Sequence, residues 1–175
     1  MTHAFHLVAV ILLVTLQTAL RLHVPGLDNF FDLLVVYVAY LGLFRRFKEG
    51  APIVIVTGLC MDSLSGGSFG LFLTSYIWFY ALMRWIVRFL DPANRMLIFF
   101  SPAMGVVIEN VVHLGTAFML NDGFPVLQVI RDRTAAQLVW ALATGPVFLL
   151  LARRIHRQWD KWLGAVMVRE SSSSR

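Results

Sequence analysis

A short polar stretch between two apolar segments carries the residue types best suited to chemistry. Asp62 ends the first segment, and Ser65 follows three residues later. Gly66, Gly67 and Gly70 complete the stretch. An Asp side chain commonly accepts hydrogen bonds from backbone amides a few residues along the chain, and glycine permits tight turns and close helix approach. We therefore interpret Asp62 as a hydrogen-bond acceptor that fixes this stretch as a structured loop.

A second polar cluster lies inside a long apolar segment. Glu109 and His113 are four residues apart, which places them on one face of a helix, and Asn110 is adjacent. An acidic residue inside a transmembrane helix costs roughly 2.5–3.5 kcal/mol on insertion scales, so we expect Glu109 to face protein and to pair with His113. We predict packing and hydrogen bonding inside a bundle. The alternatives are a protein-partner or lipid-headgroup site, and a proton or metal site, although two ligands without a third are weak support for a metal.

A third candidate is Asp32, near the start of another apolar segment and four residues after Asp28. Asp is favoured at a helix N-cap, and the helix dipole stabilises negative charge there. We predict that Asp28 is the N-cap of a helix that begins at Asn29, with Asp32 one turn further on the same face. Contact of Asp32 with a protein partner is the alternative.

The serines of the first stretch match two patterns of nucleophilic catalysis in part. Residues 66–70 fit G-x-S-x-G, but a nucleophile elbow needs a preceding strand, and the segment before them is a predicted helix. In intramembrane serine proteases, the residues around the nucleophile resemble G-x-S-G. Residues 63–66 read S-L-S-G and lack the first glycine. His113 could act as the base only if its helix faced Ser65 at the same depth. We expect no enzyme, no catalytic residue, no cofactor and no metal, and the protease stays an alternative.

The composition indicates a membrane protein. Of the 175 residues, 58% are hydrophobic and 14% are charged, against roughly 25% charged in an average soluble domain. The long apolar runs lack the alternation of barrel strands, so helices must satisfy the backbone in lipid. We predict an all-α, polytopic membrane helical bundle over residues 1–164 and a disordered cytoplasmic tail over residues 165–175. Six transmembrane helices are expected, at residues 4–20, 29–44, 51–64, 70–90, 96–120 and 134–151.

Basic residues predict the orientation. With both termini in the cytoplasm, the inner loops and tail hold 12 Lys and Arg residues and the outer loops hold 3. This split follows the positive-inside rule. The isoelectric point near 10.0 needs no nucleic-acid partner, because basic inner loops facing anionic lipid account for it.

The polar stretch resembles a family signature. The chain reads D-S-L-S-G-G-S-F-G-L from Asp62 to Leu71, which is similar to the D-L-x-S-G-x-x-x-G signature of the MreD family of bacterial rod-shape-determining membrane proteins. The Asp32-Leu-Leu start of the second segment and the closing residues 146–154 are similar in kind. The chain departs from the family pattern at Phe31, where a proline often precedes the aspartate.

The resemblance implies a function and partners. It implies a non-enzymatic scaffold of the cell-elongation complex for peptidoglycan synthesis, in the bacterial inner membrane with both termini cytoplasmic. The expected partner is an MreC-like bitopic membrane protein. A RodA-like glycosyltransferase, a penicillin-binding transpeptidase and an MreB-like filament are more distant partners.

Two further expectations concern the fold and the partner surface. The family resembles in fold the substrate-binding membrane subunits of energy-coupling-factor transporters, so a small-molecule-binding transporter subunit is the alternative function. From the residues themselves, we expect the single helix of a partner to pack into small-residue grooves. The candidate groove residues are Gly58, Gly66, Gly67 and Gly70.

Overall fold

The computed structural model describes residues 2–23, 32–66, 69–92, 94–119, 134–155 and 158. This part of the chain forms six helices and no strand, as the sequence predicts. The predicted tail, residues 165–175, lies outside it. The helices are α1 (Thr2–His23), α2 (Leu33–Phe44), α3 (Phe47–Ser65), α4 (Leu71–Ile86), α5 (Arg95–Met119) and α6 (Thr134–Ile155).

The central helix is α2. Every residue from position 33 to position 43 is buried, and α2 contacts α1, α3, α4 and α5. Its sequence, LLVVYVAYLGLF, is apolar on all faces apart from two tyrosine hydroxyls, which is typical of a helix surrounded by other helices. The hydrophobic core therefore forms around α2. Core residues on the other helices include Val10, Val14, Ile53, Val54, Phe79, Met83 and Val106.

Among the helices of the described residues, α5 and α6 are long and apolar enough to cross a membrane. The apolar helices α2 and α4 have 12 and 16 residues. At 1.5 Å per residue they extend about 18 and 24 Å, less than the ~30 Å hydrocarbon core of a bilayer. Helix α3 has 19 residues but includes Lys48, Glu49 and Asp62. Length and composition thus identify two spanning candidates, and the six-span bundle stays a prediction.

Two helix starts differ from the sequence-based expectation. Helix α2 begins at Leu33, four residues later than expected, because Asp32 is its N-cap residue. Helix α3 begins at Phe47, four residues earlier than the expected start at Ala51, so that Pro52 lies inside the helix as its sixth residue. Pro52 has no N–H, so the helix lacks the hydrogen bond that would normally be donated to the carbonyl group of Lys48. This one missing bond lies close to the start of the helix.

Pro102 marks the contact between α5 and α6. Its missing N–H leaves the carbonyl oxygen of Ile98 without the usual helical donor, and the hydroxyl of buried Ser101 donates to that oxygen at 3.4 Å. On the α6 side, a Cβ atom placed on Gly145 would lie 2.5 Å from Pro102 Cβ. The absence of a side chain at position 145 therefore lets α6 approach the proline ring.

Gly58 also serves packing inside the bundle, so its predicted role in a partner groove is wrong. The residue is buried, and a Cβ atom there would lie 2.6 Å from the backbone Cα of Leu73. Real Cβ atoms do not come this close to backbone, so α3 and α4 could not keep their separation with any larger residue. Gly58 faces α4 and is unavailable to another chain.

A matched pair of glycines on α5 tests this packing. A Cβ atom on Gly105 would lie 2.1 Å from Val35 Cγ1, whereas nothing lies within 4 Å at Gly115. Val35 cannot easily yield, because a β-branched side chain in a helix has one strongly preferred rotamer. We expect Gly105→Ala to destabilise the protein by about 1–3 kcal/mol through overpacking, and Gly115→Ala to stabilise it by about 0.5–1 kcal/mol through helix propensity.

Thermal unfolding in one detergent, followed by tryptophan fluorescence, measures both variants. A melting temperature of Gly105→Ala at or above that of Gly115→Ala would contradict the close approach of α5 to α2.

Candidate functional site

Asp62 connects the end of α3 to the start of α4. Its carboxylate is 3% exposed and accepts hydrogen bonds from the backbone N–H groups of Phe72, at 2.9 Å, and Leu73, at 3.2 Å. The first amides of a helix have no partner within the helix, and the helix dipole is positive there. The N-cap residue of α4 is Gly70, which makes no side-chain cap. Asp62 is thus the predicted acceptor, but its donors belong to the first turn of α4 rather than to the loop.

The two glycines described between α3 and α4 shape the turn. Gly66 has φ 64° and Gly70 has φ 99°, both in the left-handed region that favours glycine. Among the described residues, a Cβ atom at either position would meet nothing within 4 Å, so neither glycine is packed against another helix there. Ser65 donates its hydroxyl to the carbonyl oxygen of Asp62 at 3.3 Å. Gly67 lies outside the described residues.

Asp32 joins α2 to α4. Its carboxylate is 2% exposed, and Oδ1 accepts the backbone N–H of Leu34 at 2.9 Å, which makes Asp32 itself the N-cap of α2. The hydroxyl of Tyr76 on α4 donates to Oδ2. The expectation that Asp32 lies one turn inside the helix is therefore wrong. Its burial and these internal donors also remove it from the candidates for contact with a protein partner.

The carboxylates of Asp32 and Asp62 are stabilised in the same way. Each is buried at the N-terminus of a helix, where amide hydrogens and the dipole stabilise a negative charge. A buried carboxylate is costly unless hydrogen bonds replace its water, and each of these two accepts two of them. The arrangement holds helix ends together, and its donors are backbone amides and one tyrosine hydroxyl.

His113 links α5 to the first turn of α4. Its Nδ1 lies 2.8 Å from the backbone oxygen of Glu109. Because a carbonyl oxygen only accepts, Nδ1 carries the proton. The imidazole also packs edge-on against Phe72, with ring centres 5.5 Å apart. The contact between Glu109 and His113 thus uses the Glu109 backbone, and the pairing of their side chains stays a prediction.

Asn110 lies at a polar contact between α5 and α6, and the two α6 residues of this contact, Thr134 and Gln137, were not among the sequence-based candidates. Its Nδ2 donates to the carbonyl oxygen of Val106 at 2.8 Å and to Oε1 of Gln137 at 3.1 Å. Thr134 donates its hydroxyl to Asn110 Oδ1 at 2.9 Å. Thr134 and Gln137 are three residues apart, so they share one face of α6. Two polar residues three positions apart at the start of an apolar segment were the sequence signal that could have indicated this contact.

Asp32, Asp62 and Asn110 form hydrogen-bonded contacts between helices, and we call each such contact a joint. Asp32 and Asp62 hold α4 against α2 and α3, and Asn110 holds α6 against α5. In the part of the chain that the structure describes, no three His, Cys, Asp or Glu side chains come together in a way that could hold a metal ion.

Comparison with protein-family models, with curated proteins and with solved structures finds no match to this chain. The basis for a functional proposal is therefore the geometry of these joints together with the motif resemblance.

Two tyrosines one turn apart on α4 test the Asp32 joint. Tyr76 donates to the Asp32 carboxylate, whereas the buried hydroxyl of Tyr80 has no hydrogen-bond partner within the described part of the chain. We expect Tyr76→Phe to lower the free energy of unfolding by about 1.5–3 kcal/mol, the range for hydrogen bonds to charged groups. Tyr80→Phe should leave it unchanged or raise it, because the substitution removes an unsatisfied polar atom.

Thermal unfolding of both variants in one detergent supplies the measurement. Equal losses would show that the Tyr76–Asp32 bond contributes nothing beyond ring packing.

Graded substitution tests the Asp62 joint. Asp62→Ala removes the acceptor for two amides, and we expect a loss of about 0.5–2 kcal/mol, the range for helix caps. Asp62→Asn keeps one carbonyl oxygen and should lose less. Ser63→Ala is the control, because this exposed hydroxyl donates only to the Leu59 carbonyl of its own helix, and a change within about 0.5 kcal/mol is expected. If Asp62→Ala unfolded at the wild-type temperature, the cap would not stabilise α4.

Proposed function

We propose that this chain is a non-enzymatic, multi-pass scaffold of the bacterial inner membrane that binds an MreC-like bitopic protein within the cell-elongation complex. Both termini are placed in the cytoplasm, as the distribution of basic residues predicts. The RodA-like glycosyltransferase, the penicillin-binding transpeptidase and the MreB-like filament are proposed as more distant members of the same assembly.

The observation that carries the proposal is the Asp62 cap. The motif resemblance depends on Asp62, Gly66 and Gly70, and each of these has a defined structural task. Asp62 binds the first amides of α4, and the two glycines adopt the left-handed angles of the turn. The residues of the signature thus build one particular helix junction. This favours a scaffold, because a partner of a scaffold recognises the shape of the bundle.

The outer surface supports placement in a membrane. Helices α5 and α6 carry large apolar side chains that are mostly exposed. Contiguous apolar surface of this kind marks protein or membrane contacts, because it would promote aggregation in water. Among these side chains are Val107, Val111 and Phe118 on α5 and Val139, Trp140 and Val147 on α6.

The turn between α3 and α4 is the proposed contact for the partner. Since Gly58 is buried against α4, the small residues left for another chain are Gly66 and Gly70, with Gly67 outside the described residues. Phe69 stands between them with 72% of its surface exposed. A large exposed aromatic side chain beside open backbone is the kind of anchor that dominates binding energy at protein interfaces.

Affinity purification with matched phenylalanine variants tests the proposal. The tagged full chain is purified from its native membrane in mild detergent, and mass spectrometry identifies what co-purifies. We expect an MreC-like bitopic protein, with a yield reduced about tenfold or more in Phe69→Ser. Phe89→Ser is the control, because Phe89 is 73% exposed beyond the other end of α4.

The alternatives predict different outcomes. A transporter subunit would co-purify with energising subunits, and an intramembrane protease would label at Ser65 with a serine-reactive probe. Either result, or an equal loss of the partner in both phenylalanine variants, would contradict the proposal.

A further inference from the structure

Two arginines from different helices contact consecutive residues at the C-terminal end of α2. Arg84 of α4 donates an Nη1 hydrogen bond to the carbonyl oxygen of Arg45 at 3.1 Å. The guanidinium carbon of Arg153 on α6 lies 4.7 Å from the ring centre of Phe44. Phe44 and Arg45 are consecutive, so the fold holds both guanidinium groups beside adjacent residues. We call Arg45, Arg84 and Arg153 the arginine cluster.

The contacts of the cluster leave it positively charged. Arg45 forms an ion pair with Glu49, with 3.9 Å between Nη1 and Oε2. Arg84 and Arg153 contact a carbonyl oxygen and an aromatic ring, which attract a cation but carry no net charge. The three arginines together with Glu49 therefore carry a net charge of +2. Arg84 and Arg153 are both half-buried, so solvent screens their charges less than it would on an open surface.

Capping of α2 does not require this much charge. The C-terminus of a helix carries the equivalent of roughly half a negative charge, which one arginine satisfies. The hydrogen bond to the Arg45 carbonyl also uses only one N–H of Arg84, out of the five that a guanidinium group offers. Guanidinium groups bind phosphate oxygens through pairs of parallel N–H bonds. The cluster thus has the charge and the donors for a phosphate group.

The position of the cluster indicates where that phosphate comes from. The end of α2, the start of α3 and the ends of α4 and α6 lie at this side of the bundle, which the proposed orientation places in the cytoplasm. The cytoplasmic leaflet carries anionic lipid, and basic pockets between helices at that level bind lipid headgroups. We infer that the arginine cluster binds the phosphate group of an anionic phospholipid.

Lipid titration of the purified full chain tests this inference. The chain is held in an uncharged detergent, and its unfolding temperature is followed as phosphatidylglycerol, phosphatidylcholine or inorganic phosphate is added at constant ionic strength. A ligand that binds only the folded state raises the free energy of unfolding by RT ln(1 + L/Kd), where L is the free ligand concentration, and the unfolding temperature rises with it. We expect phosphatidylglycerol to raise it and phosphatidylcholine, whose ammonium group offsets the phosphate charge, to have little effect.

Four variants with the same change of net charge separate a defined site from general attraction. Arg84→Gln and Arg153→Gln alter the cluster, and each should weaken phosphatidylglycerol binding by about tenfold or more, as expected for a lost charge-assisted hydrogen bond. Arg88→Gln and Arg154→Gln are the controls, because these exposed arginines lie one turn after Arg84 and next to Arg153. The controls should keep the wild-type affinity. If Arg84→Gln failed to fold, Arg153→Gln alone would decide.

Each outcome has a defined meaning. An effect of inorganic phosphate that is lost in the same two variants would support the cluster and assign it to a soluble phosphate instead of a lipid. No shift in the wild type, or equal losses in all four variants, would overturn the inference.

The inference rests on the proposed membrane orientation, but its test does not depend on the partner. Arg84→Gln and Arg153→Gln should still co-purify with the MreC-like protein, because the cluster and Phe69 lie at opposite ends of α4. Failure of lipid binding with normal partner yield would contradict only the lipid site.

Discussion

A buried helix end needs partners for backbone groups that water cannot reach, and several long-range polar contacts in this fold meet that need. Helix α2 is buried along nearly its whole length, so neither end can rely on solvent. Asp32 binds its N-terminal amides, and Arg84 binds the carbonyl group just beyond its C-terminus. Tyr76, which donates to Asp32, belongs to α4, as does Arg84. Helix α4 is therefore bonded to both ends of α2, and α3 in turn caps α4 through Asp62.

The residue types in the sequence predicted which side chains accept hydrogen bonds at these joints. They did not predict which groups donate them. An aspartate at the edge of an apolar segment indicates an acceptor for backbone amides, and both Asp32 and Asp62 have this role. The donors to Asp62 are ten and eleven residues away, beyond a turn whose geometry the sequence does not specify. The Tyr76 hydroxyl is 44 residues from Asp32 in the sequence. Such pairs depend on how α4 packs against α2, which local patterns do not determine.

The role of each glycine was also not predictable from the sequence alone. Glycine signals either a positive φ angle or a close approach, and the sequence does not distinguish the two. Gly66 has the first role, and its surroundings are open. Gly58, only eight residues earlier, has the second role and meets the α4 backbone. The face of α3 that meets α4 depends on the tertiary arrangement, because the helix carries apolar residues on more than one side. The number and type of helices were predictable, whereas their contact faces were not.

The use of polar groups inside the fold restricts what another molecule can recognise. Asp32, Asp62 and Asn110 all have hydrogen-bond partners within the bundle, so a second chain gains little from them. Apolar helix faces attract each other only weakly in lipid, because lipid tails are as apolar as the helices themselves. For the proposed membrane scaffold, we therefore expect specific recognition at the ends of the bundle. Phe69 at one end of α4 and the arginine cluster at the other offer the aromatic surface and the charge that the helix faces lack.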